Sequence, residues 1–304
     1  MTKQLLGASS AVVVAVLFGW AVSDGGAVVA GVPVVLWCVL VAFAINWIGF
    51  AHSLARRTER YYDITGTLTY LVVVALALVL VGRYDPLSLL LAGLVALWTI
   101  RLGAFLFMRI SASGSDSRFD KILEDPGQLL VTWTLQGLWV SLTLAAALGA
   151  MTGEREAPAG WWWLPGVLIW TAGFAIEVVA DAQKSAFKQD PANEGDYIRT
   201  GLWSWSRHPN YFGEITLWVG IAVIALPALE GWRYLGLVSP VFVFVLIRYV
   251  SGVPMLERKA EKRWGDDPSW RAYRDRTPLL VPSPPRGPHA TSPGADPLDG
   301  GGGR

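Results

Sequence analysis

Eight apolar blocks follow one another between Leu5 and Leu256, at roughly 5–22, 27–51, 67–82, 86–108, 128–151, 161–181, 211–231 and 232–256. They dictate the class of fold. A helix that crosses a hydrocarbon core about 30 Å thick, rising about 1.5 Å per residue, needs about 20 mostly apolar residues. In lipid, where no water satisfies backbone polar groups, a helix satisfies them within its own segment. The sequence therefore predicts an all-α, polytopic transmembrane bundle of about eight spans. The third block is short and the last two abut, so a count of seven or a re-entrant hairpin stays open. Composition agrees: 16% of the 304 residues are charged, against about 25% in soluble domains.

Charge distribution orients the bundle. With eight spans, the N-terminus, the segments 52–66, 109–127 and 182–210, and the tail share one side. That side carries 20 of the 25 Lys and Arg residues, while the other has Arg83, Arg155 and Arg233. Short cytoplasmic loops accumulate Lys and Arg, so both termini are expected to be cytoplasmic. The net charge is only +1; the basic side reflects sorting of charge between faces and gives no reason to expect nucleic acid as a partner. The first block could pass for a signal peptide, but no cleavage site precedes the next span, and it is read as a helix. Residues 281–304 hold six Pro and six Gly in 24 positions and are read as a disordered tail. The expected organisation is N-terminal spans in 1–60, a membrane domain in 61–280 with its polar site on the cytoplasmic face, and the tail. High Ala, Val and Gly usage suggests a bacterial inner membrane. One GxxxG, Gly149 to Gly153, suits helix packing as well as dimerisation.

Several chemistries lose their usual signals. A single cysteine, Cys38, excludes an intrachain disulfide and CxxC metal sites. Three histidines, His52, His208 and His289, are too few for multi-histidine di-iron or bis-haem centres. The chain has no GxGxxG after a strand, no P-loop, no HExxH and no GxSxG. Redox chemistry in such a chain requires an organic cofactor held by side chains and helix ends.

Polar residues concentrate in EVVADAQKSAFKQDPANEGDYIRTGLWSWSRHPNYFGE, Glu177 to Glu214. Lys184 and Lys188, four apart, share a face of a helix that continues the sixth span beyond the membrane. Arg207-His208-Pro209 precedes an apolar helix whose free first-turn amides, with Arg207 and His208, form a candidate anion site. Asn210 and Glu214 lie one turn apart, able to pair with each other or with a ligand. Glu177, Glu214, Arg101 and Arg248 fall within apolar segments, where an unpaired charge costs up to about 3 kcal/mol at mid-bilayer, and such residues usually face a bundle interior. Arg101 and Arg109, two turns apart, can look into one cavity. Tyr61, Tyr62, Asp63 and Thr65 cluster before the third block. After the last span, Glu257, Arg258, Glu261 and Lys262 alternate in sign near Trp264, Trp270 and Tyr273, reading as a solvated amphipathic helix or as a lid over a bound nucleotide.

The run Lys184…Lys188…Gly201-Leu202-Trp203…Arg207-His208-Pro209-Asn210-Tyr211-Phe212-Gly213-Glu214, with the segment Glu257 to Pro278, resembles the C-terminal region of the membrane steroid 5α-reductase family. It is also similar to sterol C14-reductases and, less closely, to isoprenylcysteine carboxyl methyltransferases. The specific match covers residues 177–280. Looser similarity in YYDITGTLTY and Arg101 to Asp120 extends it to about residue 60. The resemblance implies a helical bundle that uses NADPH to reduce a carbon–carbon double bond conjugated to a carbonyl, in a hydrophobic steroid- or isoprenoid-like substrate. It implies a cofactor site of Lys184, Lys188, Trp203, Arg207, His208, Asn210, Tyr211, Glu214 and Glu257, with Arg101, Arg109 and Arg118 matching phosphate-binding arginines more loosely. The histidine–tyrosine pair expected near the end of the fourth span reads Trp98-Thr99 here. Tyr62 and Asp63 are the catalytic candidates, as donors to the carbonyl oxygen, with Asn46 as another substitute. An S-adenosylmethionine-dependent methyltransferase shares RHP-x-Y-x-G-E and is the alternative enzyme; a lipid-binding or transport module is the non-enzymatic one.

Overall fold

A computed structural model describes residues 2–113, 119–154 and 160–285. Its helices are α1 (Thr2–Val22), α2 (Val34–Arg56), α3 (Tyr62–Val81), α4 (Pro86–Ser113), α5 (Pro126–Thr143), α6 (Ala145–Thr152), α7 (Trp163–Gln189), α8 (Pro209–Ala225), α9 (Val238–Val245), α10 (Gly252–Trp264) and α11 (Pro268–Arg276). Seven of the described segments are long and apolar enough to span a membrane, and the bent pair α5–α6 makes eight if it counts as one span. The protein is an integral, multi-pass membrane bundle.

Two boundaries differ from the sequence reading. Residues 28–33, assigned to the second span, form a two-stranded antiparallel hairpin, β1 (Val28–Val29) and β2 (Val32–Pro33), whose turn uses positive φ at Ala30 and Gly31. The helix begins at Val34, directly after Pro33. The third span is not short: α3 starts at Tyr62 and takes in the polar run TyrAspIleThrGlyThr, because Thr65, Thr67 and Thr69 each donate their hydroxyl to the carbonyl four residues back and so hide it within the helix.

The core sits around α6, all eight of whose residues are buried. The α5–α6 axis bends by 52° at Leu144. There the Thr143 carbonyl accepts the Ser239 hydroxyl at 2.5 Å and the Thr143 hydroxyl meets that of Tyr70 at 2.6 Å, polar insertions of the kind that accompany sharp helix bends. Gly149 and Gly153 pack within the chain, Gly149 on Val22 and Leu229 and Gly153 on Arg233, so this GxxxG serves internal packing.

Helices α7 and α8 form the closest pair. An added Cβ on Gly173 would stand 2.6 Å from the Gly213 carbonyl oxygen, and one on Gly220 2.6 Å from the Trp170 amide nitrogen. Small residues let the two backbones touch, as is general for helix pairs in membranes. This approach sets the distance between the polar residues at the end of α7 and those at the start of α8.

Chain ends alternate as the charges predicted. Gln4 reaches Asp125, and Asp63 pairs with Arg109 at 3.8 Å, placing the starts of α1, α3 and α5 at one basic end with the end of α4. At the other end the Ala27 amide donates to the Thr152 carbonyl and the Trp232 amide to Asp24. The segment beyond Leu280 is not wholly free: the Ser283 amide donates to the Trp205 carbonyl, next to Ser206 Oγ on the Leu280 carbonyl and the Arg207 amide on the Pro278 carbonyl. Residues 286–304, most of the expected tail, lie outside the described residues.

Candidate cofactor site at the basic end

One face of α7 organises the site. Glu177, Asp181, Lys184 and Lys188 recur at helical spacing, so all four project to one side. Opposite them, α4 presents Arg101, one turn after Trp98. Arg101 donates from Nη1 to Glu177 Oε1 and from Nη2 to Asp181 Oδ2, both at 2.7 Å. The Trp98 indole N–H completes Glu177 at 3.1 Å, and Asn210 Nδ2, at the start of α8, donates to Asp181 Oδ1 at 3.2 Å. The expected Asn210–Glu214 pair is therefore replaced by a bond across the α7–α8 contact. Glu214 faces the same cluster, within electrostatic reach of Arg101 and Asp181.

Toward the basic surface, positive charge takes over. The Lys184 ammonium lies 4.6 Å from the centre of the Trp203 ring, and neither Lys184 nor Lys188 forms an ion pair among the described residues. Arg109 acts on both lysines, and Arg263 acts on Lys188. The surface thus draws cations from α4, α7 and α10 to one mouth. A groove of about 380 Å³ lined by Gln183, Phe187, Asp190 and Thr200 opens on a different face of α7 and does not coincide with this row.

The loop 190–208 is folded back on α7 and capped by the C-terminal helices. Trp203 donates its indole N–H to the Ala180 carbonyl at 3.0 Å, and the Leu202 amide donates to Gln183 Oε1 at 2.9 Å. At its end, Arg207 Nη1 pairs with Glu257 Oε2, while His208 Nε2 meets Glu257 Oε1 at 2.7 Å. Tyr211 stacks on the His208 ring at 5.8 Å between centres. Proline at its first position starts α8, and no side chain caps it, leaving first-turn amides beside Arg207 and His208 in the geometry that favours anions. Glu257 lies in α10, which follows a π-helical turn, Leu246–Val250, at the end of the last span.

Burial pushes the His208 imidazole below its ordinary value, with Glu257 opposing. Folding therefore binds this proton more weakly than the unfolded chain does, and stability rises with pH across the window between the lowered value and about 6.5. Thermal unfolding followed against pH is expected to show a midpoint that falls as the pH drops below about 6.5. The drop is expected to be smaller in His208→Gln.

Of the residues singled out by sequence, Arg101, Arg109, Lys184, Lys188, Trp203, Arg207, His208, Asn210, Tyr211, Glu214 and Glu257 gather at this end. Arg118 lies outside the described residues. Tyr62 and Asp63 stand at the same end but outside the Arg101 cluster: the Tyr62 hydroxyl lies 3.3 Å from the Thr132 carbonyl, packed between Phe119 and Trp133, and Asp63 lies against Arg109. Asn46 is buried between α2 and α3, donating to the Ala42 carbonyl and to Thr69. Two members are not assigned to the site by sequence: Asp181 reads only as a neighbour of the lysine face, although it stands four residues from Glu177, and Trp98 reads only as a departure from the histidine–tyrosine pair.

These features define a polytopic α-helical membrane protein with a polar, cation-rich site at one end of its bundle. The chain belongs to the family described as "Protein of unknown function (DUF1295)", which matches residues 49–277. It is 34% identical over 79 residues to a probable O-methyltransferase of Ustilaginoidea virens, an alignment covering 25% of this chain and 28% of that one. It is 24% identical over 156 residues to an uncharacterized protein of Schizosaccharomyces pombe, covering 44% and 43%. The chain thus spans less than half the length of either curated relative. No solved structure matches it.

Proposed function

We propose that this protein is an NADPH-dependent membrane ene-reductase acting on a carbon–carbon double bond conjugated to a carbonyl in a hydrophobic, steroid- or isoprenoid-like substrate. The observation that carries the reading is the convergence of Lys184, Lys188, Arg109 and Arg263 at the mouth of the Arg101 cluster. Like charges gathered at one place repel, and a ligand bearing several phosphates relieves that repulsion. The membership in DUF1295 and the earlier resemblance to steroid 5α-reductases point the same way.

NADPH supplies the hydride; the chain supplies position, charge and dryness. Lys184, Lys188 and Arg109 hold phosphate oxygens, and a guanidinium fork suits the 2′-phosphate. Arg207 and His208 are held by Glu257, and the uncapped start of α8 beside them offers backbone amides to further negative charge. Asn210, Tyr211 and Glu214, a turn deeper, meet the polar edge of the reacting end. Reduction of such a double bond would add a hydride at the β-carbon and a proton, ultimately from solvent, at the α-carbon, so a donor facing the carbonyl oxygen would be needed to stabilise the negative charge that develops there. Tyr62 is the donor we assign to this part, its hydroxyl lying 3.3 Å from the Thr132 carbonyl at the same end of the bundle. Asp63 holds Arg109 in place.

The similarity to a probable O-methyltransferase favours a second reading, methyl transfer from S-adenosylmethionine. Phosphate separates the two, because S-adenosylmethionine has none. Replacing Lys188, Arg109 and Lys184 singly with alanine is expected to weaken NADPH binding about threefold to tenfold each, as for lost charge-assisted contacts, with the loss shrinking at high salt. NADPH affinity unchanged in all three variants would reject the reductase reading.

A further inference from the structure

Helix α11 contributes no charge to the cation-rich mouth, yet one of its side chains reaches into the frame beneath it. Tyr273 is 3% exposed, and its hydroxyl donates to the Trp203 carbonyl at 2.7 Å. Trp203, also 3% exposed, is fixed at its other end by the indole bond to the Ala180 carbonyl. Between these two anchors the ring plane has one orientation, and the Lys184 ammonium rests on its face. An ammonium over an indole face is held by the ring quadrupole. Without that surface Lys184 has four rotatable bonds and strongly hydrated donors to distribute, and the pull of Asp181 on it is opposed by Lys188 and Arg109, so the ring face is what selects one position.

We propose that Tyr273 is a positioning residue of the ligand site: its hydroxyl fixes Trp203, and Trp203 fixes Lys184 where an anionic ligand is bound. The proposal rests on the reading of this end as a phosphate-binding cofactor site. It adds that the C-terminal helix sets the position of a binding cation it never touches. Burial raises the phenol's proton affinity and keeps the hydroxyl a donor throughout the neutral range. Neighbouring groups are consistent with a fixed tyrosine: Tyr197 and Trp270 pack on its ring at 5.5 and 5.7 Å between centres, and Arg207, Glu257 and Arg276 act on it at longer range.

Two measurements on the full chain in detergent test this. The first uses reductive ¹³C-dimethylation of the lysines, of which the sequence has six, with Lys184→Arg identifying the Lys184 resonance. Above an indole face that resonance is expected to lie upfield of the other five, and Tyr273→Phe is expected to return it toward them, in a chain that still unfolds cooperatively. A Lys184 resonance that stays put in Tyr273→Phe would overturn the proposal. The second titrates NADPH. Tyr273→Phe is expected to lose about threefold to tenfold in affinity, and to lose nothing further when Lys184 is already methionine. Equal losses in both backgrounds would make Tyr273 a merely structural residue and also overturn it. If the unaltered chain binds no NADPH, the cofactor reading falls, while the resonance still decides whether Tyr273 orders Lys184 through Trp203.

Discussion

Arg101→Met is expected to be the most damaging single change in the site, lowering stability by about 3–5 kcal/mol, the range for removing one partner of a buried ion pair. The side chains of Glu177 and Asp181 are 4% and 7% exposed, and both charges are balanced by this one guanidinium. Methionine keeps most of the apolar stem but leaves two carboxylates facing each other inside the bundle, with Glu214 a turn away. Trp98 and Asn210 cannot compensate, because each donates a single hydrogen bond. The partner test separates charge from packing: adding Glu177→Gln to Arg101→Met is expected to recover part of the loss, since it removes one of the stranded charges. Arg101→Lys is expected to fall between, because an ammonium lacks the fork that bridges two carboxylates at once. Thermal unfolding in detergent, with and without NADPH, reads all three.

The second large effect is expected far from any charge. A Cβ at Gly213 would stand 2.6 Å from the Gly173 carbonyl oxygen and 2.7 Å from the Glu177 amide nitrogen. Both are backbone atoms in the middle of a helix and cannot swing aside, so α7 and α8 must separate. Overpacking of this kind typically costs about 1–3 kcal/mol, and Gly213→Ala is placed at the upper end because the obstacle is backbone on two sides. The functional consequence follows from position. Glu177 lies at the contact, and the Asn210–Asp181 bond spans the same interface three residues before Gly213. Gly213→Ala is therefore expected to weaken NADPH binding as well as stability, whereas Gly31→Ala, in the hairpin at the opposite end, is expected to leave NADPH affinity unchanged.

How much of this was legible in the sequence follows from what each signal depends on. Span length and apolar content are local properties tied to bilayer thickness, and they recovered the bundle; charge sorting recovered the alternation of ends. The failures were at boundaries. Residues 28–33 are as apolar as the helix that follows and turn into a hairpin through positive φ at Ala30 and Gly31, which hydropathy does not record. The polar start of α3 lies outside the third apolar block because hydropathy does not record that its threonines bond back onto the chain four residues earlier. In the site, α7 was readable because its polar residues repeat at helical spacing, and the expensive Arg101 pointed to an interior partner without naming it. The identity of that partner required the α4–α7 packing. Gly173 read as one glycine among many in the spans and Gly213 as one member of the RHP-x-Y-x-G-E run, and their packing role appears only when two backbones are seen to touch. Tyr273 read as one aromatic of an amphipathic helix, because its hydroxyl acts on a residue 70 positions earlier.

The central claim is that the cation-rich end of the bundle binds a multiply phosphorylated nucleotide. It is tested most directly by titrating the detergent-purified protein with NADPH, NADH and S-adenosylmethionine while following its thermal midpoint, since a ligand that binds only the folded chain stabilises it by mass action, about 2.7 kcal/mol at one hundred times its dissociation constant. The account predicts a saturable upward shift with NADPH, a smaller one with NADH for want of the 2′-phosphate, and none with S-adenosylmethionine. A shift with S-adenosylmethionine and none with NADPH would contradict it and make the chain a methyltransferase of the membrane.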